Sequence, residues 1–321
     1  MTPALRTQGR VFCWLALALV IASWSGLELE PRHELWAMGA LVLLLGMPHG
    51  AFDVVIARQL FSVADSKGWS LFWLGYVGLS AAVVGLWALA PAVFLCAFLI
   101  VSALHFGSDP VAGSSRVTRV LYGGAVIVLP ALAHGAELQR LLALVAGPAS
   151  AALVVPALSQ LAAPWLAATM LACVLQARTS RLAACESAAL AMLALVAPPL
   201  AAFTVYFCAM HSPRHIMRTL ASMQAAEARR ALMQALWPTL AVLAVAASVG
   251  FLASDLPVET RVVQLVFVGL AALTLPHVVL LERARRVVRQ QAADVRPAAV
   301  GRAMAQPASR SVETTHSGNK A

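Results

Sequence analysis

Charged side chains are scarce in this 321-residue chain. They make up 12% of the residues, whereas 61% are hydrophobic, and the mean hydropathy is +0.81. Soluble domains carry roughly twice that share of charge, so an ordinary water-soluble fold is excluded. Apolar stretches of about 20 residues, long enough to cross a bilayer, recur instead from Val11 almost to Leu281. The composition predicts an all-α, polytopic transmembrane helix bundle.

Several motifs that would indicate other chemistries are missing. No CxxC pair occurs, and the five cysteines all lie in apolar stretches, so they are interpreted as small core residues rather than a disulfide framework. They are Cys13, Cys96, Cys173, Cys185 and Cys208. The HExxH motif of zinc proteases is absent, and so are the adjacent His-His pairs of di-iron membrane desaturases.

Positive charge is concentrated at the ends of the apolar stretches. The formal net charge is +9, and residues 282–321 alone hold eight basic and three acidic side chains, which gives five of the nine excess charges. The positive-inside bias and anionic lipid headgroups explain this distribution better than nucleic acid does. We therefore expect the lipid bilayer as a partner and no nucleic acid.

The apolar stretches predict eight or ten membrane spans. Two alternatives remain because the block 141–211, which is expected to be interrupted at Gly147-Pro148, Pro156 and Pro198-Pro199, accommodates either one or three crossings. With arginine-rich loops placed inside, among them the one that holds Arg214 and Arg218, both termini are cytoplasmic, and the location is the inner (cytoplasmic) membrane. The first apolar run lacks a small-residue cleavage site and is read as a retained helix. The expected spans are 11–27, 35–57, 69–90, 91–108, 117–133, 231–253 and 260–281, together with the block 141–211.

The chain is expected to contain one bundle and one tail. Residues 1–281 form the transmembrane bundle with the functional site, and residues 282–321 form a basic cytoplasmic tail. From residue 292 onward the tail is polar and lacks helical periodicity. We predict that this last part is disordered.

Five of the eight histidines fall in or at the ends of apolar spans: His49, His105, His211, His215 and His277. Polar side chains at membrane depth are costly and usually face a protein interior. The predicted orientation places all five at one level, in the inner leaflet, where scattered structural histidines would have no reason to gather. Convergence at one depth predicts a metal site between the helices of the bundle.

Acidic residues follow two of these histidines at a helical spacing. Asp53 lies four residues after His49, so it either accepts the second ring N–H of a metal-bound His49 or pairs with Arg58. Asp109 lies four residues after His105 and either plays the same part or caps the following loop. His211 and His215 share the spacing at which one helix supplies two ligands, although Pro213 lies between them.

A cluster of imidazoles without thiolates or paired carboxylates suits iron, zinc or copper and argues against calcium and magnesium. Because the protease and desaturase motifs are absent, a mononuclear Fe(II) that reacts with dioxygen is the favoured interpretation.

Four blocks of sequence, taken in order, resemble the signature blocks of the Brp/Blh family of β-carotene 15,15′-dioxygenases. The resemblance covers about residues 35–282, and His134 also resembles a family position. The blocks are GMPHGAFD at 46–53, SALHFG at 102–107, HSPRH at 211–215 and TLPH at 274–277.

The resemblance implies an iron-dependent membrane enzyme that uses O2 to cleave the central double bond of β-carotene into two all-trans-retinal. The family's proposed Fe(2+) ligands fall on His49, His105, His211 and His215. His277 matches a family motif outside that set, so it is assigned with Asp53 to the surroundings of the metal or the pocket wall. A rhodopsin-type protein is an expected acceptor of the retinal.

Two other functions are compatible with a histidine-containing bundle. A carrier or maturation factor would bind carotenoid or retinal and deliver it to a rhodopsin-type protein without chemistry, but a hydrocarbon carrier needs no metal. A transition-metal transporter would spread its ligands over the depth of the membrane, whereas these histidines are predicted to cluster at one side.

Overall fold

The computed structural model describes residues 2–27, 30–61, 66–110, 113–221 and 223–304, and it is helical throughout, with no strand among these residues. The helices are α1 Pro3–Trp24, α2 Pro31–Leu41, α3 Asp53–Phe61, α4 Ser66–Leu89, α5 Pro91–Phe106, α6 Arg116–Val128, α7 Pro130–Ala133, α8 Gly135–Ala146, α9 Pro148–Ala177, α10 Arg181–Val196, α11 Pro199–Tyr206, α12 Ser212–Leu220, α13 Ala225–Leu252 and α14 Val258–Met304. The predicted all-α fold is confirmed.

Seven helical segments of the described chain are long and apolar enough to cross a membrane. A further apolar helix, α5, has 16 residues. The second segment contains α2, α3 and the turns that join them. The seven segments are Pro3–Trp24, Arg32–Leu60, Ser66–Leu89, Arg116–Ala133, Pro148–Ala177, Ala225–Leu252 and Val258–Gln290.

The block 141–211, which the sequence left unresolved, contains the end of α8, then α9, α10 and α11, and the π-helical segment Phe207–His211. Gly147 separates α8 from α9 with a positive φ of 86°, a conformation that glycine adopts without steric cost. Pro156 was expected to interrupt the following stretch, but α9 continues through it and through Pro164. Prolines are tolerated in membrane helices because neighbouring groups satisfy the freed backbone. The break at Pro198–Pro199 was expected, and it separates α10 from α11.

Two short π-helical segments interrupt the helices near the centre of the bundle. Val42–Gly46 follows α2 and leads into a 3-10 segment, Met47–Phe52, and Phe207–His211 joins α11 to α12. Such segments often occur at functional sites. Gly46 brings the two segments together, because a Cβ built on it would lie 2.4 Å from the Phe207 ring.

Side chains from neighbouring segments donate hydrogen bonds to carbonyl oxygens of these irregular turns. Ser212 Oγ donates to the carbonyl of Leu45 at 2.8 Å, and Gln8 Nε2 donates to the carbonyl of Ala209 at 2.7 Å. Backbone groups in a dry interior need such partners. The irregular turns are therefore held by contacts between different helices.

The end of α5 is packed tightly against α6. A Cβ on Gly123 would lie 2.0 Å from the carbonyl oxygen of Ala103, so only glycine permits this approach of the two backbones. Small residues play this part in many membrane bundles. The close contact fixes the turn of α5 that carries His105.

The chain divides into two compact units, Met1–Leu280 and Leu281–Ala321. Within the second unit, helix α14 continues to Met304, where the sequence predicted a tail without helix from residue 292. Alanine and arginine favour helix in this stretch, and extension of an existing helix needs no new nucleus. Residues 305–321 of the expected tail lie outside the described residues.

Candidate metal centre

The five histidines predicted to converge do meet. The His49 ring centroid lies 5.0 Å from that of His211, 5.6 Å from that of His215 and 5.4 Å from that of His277. The His105 centroid lies 4.7 Å from His211 and 5.0 Å from His277. Residues far apart in sequence therefore form one cluster of imidazoles inside the bundle.

The donor atoms of this cluster suit a metal ion. The ligand atoms of His49, His105 and His277 all lie within 4.8 Å of one another, and all three side chains are buried. The Nε2 atoms of His105, His211 and His277 are buried and have no hydrogen-bond partner in the described part of the chain. Buried polar atoms without partners are costly, and a bound transition metal would use these lone pairs.

His49 is held by the turn that precedes it. Its Nδ1 lies 2.6 Å from the carbonyl oxygen of Gly46. Because a carbonyl oxygen only accepts, Nδ1 carries the proton, and the lone pair is on Nε2. The π-helical segment supplies this carbonyl, which an unbroken α-helix would use for its own ladder.

Asp53 serves a different histidine from the one that the sequence predicted. It accepts from His277 Nδ1 at 2.7 Å and from the Tyr76 hydroxyl at 3.0 Å, so its assignment to His49 was wrong. The spacing argument assumed a regular α-helix, but residues 47–52 form a 3-10 segment with about three residues per turn. Residues four apart, such as His49 and Asp53, therefore no longer lie on the same face of the helix. The alternative partner, Arg58, lies over the ring of Trp69.

Asp109 orients His211, not His105. Its carboxylate accepts from His211 Nδ1 at 3.0 Å and from the Tyr206 hydroxyl at 2.6 Å. An ionised Asp109 leaves the Nδ1 proton on His211 and the lone pair on Nε2.

His211 and His215 lie on either side of a change in helical geometry. The π-helical segment ends at His211, and α12 begins at Ser212 with Pro213 in its first turn. Proline is tolerated there because the first-turn N–H groups have no intrahelical acceptor. Pro213 therefore neither ends the run nor separates the two histidines from the cluster.

The sequence placed two arginines in a cytoplasmic loop, but both lie in α12, where Arg214 belongs to the protein interior and Arg218 is half-buried. Arg214 is 1% exposed and forms a buried ion pair with Glu186, with N–O distances of 2.9 and 2.7 Å. Arg214 and Arg218 also donate to the backbone carbonyl of Asp109, at 3.2 and 2.7 Å. The positive-inside rule counts charges along the chain and misses Glu186, the partner on another helix. Both arginines hold Asp109 against α12.

His134 lies apart from the cluster in its contacts. Its Nε2 is 3.1 Å from the carbonyl oxygen of Leu195, which makes it a contact between the α7–α8 turn and α10. It therefore has a structural partner, and its resemblance to a family position carries no sign of metal binding here.

A cavity of about 650 Å³ opens on one side of the histidines. Helices α4, α13 and α14 form most of its walls, and the walls are mainly apolar. His49, Asp53, Tyr76 and His277 line the end next to the cluster. Along α14 the lining extends from His277 to Arg261, a distance of about 24 Å at helical rise. The volume is in the range of small-molecule sites.

Sequence reasoning missed the role of Tyr76. The chain has three tyrosines, and two of them, Tyr76 and Tyr206, donate to the two buried aspartates of the site. A buried tyrosine hydroxyl usually needs a partner. The rarity of tyrosine in so apolar a chain was the available signal, but it does not identify the partner.

Comparisons with known proteins identify a family and two relatives of this chain. A family model described as Beta-carotene 15,15'-dioxygenase matches residues 40–283, a range that contains all five histidines. The Beta-carotene 15,15'-dioxygenase of Uncultured marine bacterium 66A03 is 31% identical over 77% of this chain and 92% of its own length. The Probable beta-carotene 15,15'-dioxygenase Blh of Halobacterium salinarum is 24% identical over 65% of this chain and 68% of its own.

No solved structure matches the chain significantly, so the assignment depends on sequence. The family model covers most of the chain, and the marine bacterial relative is covered almost completely. The matched range also contains the histidines whose rings meet in the bundle. The chain belongs to the β-carotene 15,15′-dioxygenase family.

Proposed function

We propose that the protein is an iron-dependent dioxygenase that cleaves the central double bond of β-carotene with O2 and releases two all-trans-retinal. The observation that carries the proposal is the contact between an imidazole cluster and a long apolar cavity. The reaction balances without another reductant, because each atom of dioxygen ends in one aldehyde. Membership of the family supports the same reaction.

The metal ligands in this proposal are His49, His105, His211 and His215. Their imidazoles are neutral ligands of a kind that iron accepts. Bound Fe(2+) would supply the chemistry that activates dioxygen. The chain's own contribution is to fix each ring: Gly46 holds the Nδ1 proton of His49, and Asp109 holds that of His211.

The apolar cavity is the proposed carotenoid site. Its walls can hold one half of an extended carotenoid along α14, with the central double bond at the end of the cavity that His49 and His277 line. Apolar walls exclude water from the reaction, and fixed walls limit which double bond reaches the histidines. Binding of the polyene would thus decide where the chain is cut.

The substrate would reach this cavity from the lipid. Helices α4 and α13 line it, and only 6% of the apolar window of each helix is buried inside the protein. The outer faces of these helices therefore suit contact with acyl chains. A carotenoid dissolved in the bilayer could pass between them without crossing water.

We further propose ten membrane crossings. The block that was ambiguous in the sequence contains α9, α10 and α11, and α11 continues through the π-helical segment into α12, which favours three crossings over one. With α5, α10 and the run from α11 to α12 added to the seven longer segments, the total is ten. An even number keeps both termini on the cytoplasmic side of the inner membrane, where the arginine-rich segments belong.

Pigment analysis of β-carotene-producing bacterial cells tests the proposed function. Cells that express the wild-type chain should lose carotene and gain retinal. His49→Ala should abolish retinal at an equal protein level in the membrane. His134→Ala is the matched control, because it removes an imidazole that contacts only a backbone carbonyl among the contacts described, and it should keep activity.

Unchanged carotene in cells that hold the protein and iron would contradict the dioxygenase proposal. The carrier alternative would then lead, with retinal or carotenoid handed to a rhodopsin-type acceptor. Co-purification of intact carotenoid with the chain would support that alternative. Full activity of His49→Ala would contradict the ligand assignment.

A further inference from the structure

We propose that His277 is itself a metal ligand, held in position by Asp53 and Tyr76, in addition to lining the pocket. This inference rests on the proposed function, since it concerns the same metal. It goes beyond the ligand set implied by family resemblance, which leaves His277 out.

The position of the ring is the first support. A ligand atom of His277 lies within 4.8 Å of those of His49 and His105. The His277 centroid is also 5.0 Å from those of His105 and His215. A ring that only lined the cavity would not need other imidazoles around it, but the His277 ring is close to three of the four expected ligands. It is 2% exposed.

The hydrogen bonds of the ring are the second support. His277 Nδ1 lies 2.7 Å from Asp53 Oδ1, and a carboxylate oxygen takes the proton of this nitrogen. The lone pair is then on Nε2, which is buried and has no hydrogen-bond partner among the described residues. A neutral imidazole whose unprotonated nitrogen is buried and whose other nitrogen is fixed by a carboxylate is suited to bind a metal cation.

The same arrangement occurs twice in the site. Tyr76 and His277 both donate to Asp53, and Tyr206 and His211 both donate to Asp109. His211 belongs to the expected ligand set, and the structure gives His277 an equivalent set of supports. The two Tyr–Asp–His sets are built from different parts of the chain, and their histidines reach the cluster from different helices.

The hydrogen bonds from Tyr76 and His277 to Asp53 also give roles to two residues that would not bind the metal themselves. Asp53 is a positioning residue that keeps the proton on Nδ1, and Tyr76 holds Asp53 while lining the cavity. Removal of such supporting partners lowers metal affinity by about 10- to 100-fold in other sites. Asp53→Asn should fall in that range, and Tyr76→Phe should have the smaller effect.

Metal binding by the purified full-length chain in lipid nanodiscs separates a ligand from a wall residue. The measurements are bound Fe(II) per chain after anaerobic loading and the visible absorption spectrum after loading with Co(II). The central variant is His277→Asn, because an asparagine amide can keep the hydrogen bond to Asp53 while it removes Nε2. His134→Ala is the control.

The wild type and His134→Ala should bind iron equally and share one Co(II) spectrum. His277→Asn should bind at least 10-fold more weakly and show a changed Co(II) spectrum, and added imidazole should restore the spectrum in His277→Gly. Equal affinity and an unchanged spectrum in His277→Asn would overturn this inference and leave the proposed function intact. A wild type that binds neither metal would overturn both.

Discussion

The substitution Glu186→Gln removes one charge from an almost fully buried ion pair. The side chains of Arg214 and Glu186 are 1% and 2% exposed and are joined by two hydrogen bonds of 2.9 and 2.7 Å. Loss of one partner of such a pair costs about 3–5 kcal/mol, because the other charge is left buried and uncompensated. Glutamine keeps one acceptor oxygen, so we expect the lower value, about 3 kcal/mol.

A paired apolar replacement should recover most of that stability. Glu186→Leu combined with Arg214→Met removes both charges, and such replacements are often neutral within about 1 kcal/mol or stabilising. The carbonyl of Asp109 keeps the bond from Arg218 at 2.7 Å, but Gln8 Oε1 loses its bond from Arg214. We therefore expect the double variant to lie slightly below the wild type.

Thermal unfolding of the detergent-solubilised chain measures both effects. The quantity recorded is the fraction of protein that remains soluble and unaggregated after heating to each temperature. A loss of about 3 kcal/mol corresponds to a fall in Tm of about 4–5 °C for a chain of this size. The double variant should unfold at a higher temperature than either single variant. A Tm for Glu186→Gln within measurement error of the wild type, or a double variant no more stable than Arg214→Met alone, would refute the reasoning.

Two further substitutions test packing and substrate binding, each beside a matched control. Gly46→Ala should destabilise the chain by about 1–3 kcal/mol, because the added Cβ would lie 2.4 Å from the Phe207 ring, whereas Gly50→Ala has nothing within 4 Å of its Cβ and should be nearly neutral in the same unfolding assay. Ala246→Phe places a ring in the cavity and should raise the KM for β-carotene with bound iron unchanged. Ala244→Phe, on an exposed part of the same helix, should leave KM as it is, and equal KM values for the two would contradict the assignment of the cavity.

The convergence of the histidines was predictable because it depends on depth alone. Apolar spans and basic loops predict the level of each histidine in the membrane. Polar rings that share one level and face the interior of one bundle must lie close together. Helix count was less accessible, since Pro156 and Pro164 leave α9 intact while Pro198 and Pro199 end a helix. Whether a proline breaks a membrane helix depends on neighbours that a single sequence does not show.

The pairings inside the site were not predictable from spacing. His277 and Asp53 are 224 residues apart, and the nearer candidate, His49, is turned away by the irregular segment between Val42 and Phe52. Arg214 was misplaced for a similar reason, because its partner Glu186 lies on another helix. Local periodicity identifies faces of regular helices, but these contacts depend on irregular turns and on tertiary packing.

The geometry of the site depends on the exact number of residues in the two π-helical segments, Val42–Gly46 and Phe207–His211. A regular α-helix turns by about 100° per residue, so deletion of one residue from Val42–Gly46 would rotate the following residues by about that angle. His49 would leave the cluster although no ligand had been replaced. The same holds for Phe207–His211 and His211. A homologue that keeps every histidine but lacks one residue in either segment would therefore carry the motif without the arrangement of rings on which it depends.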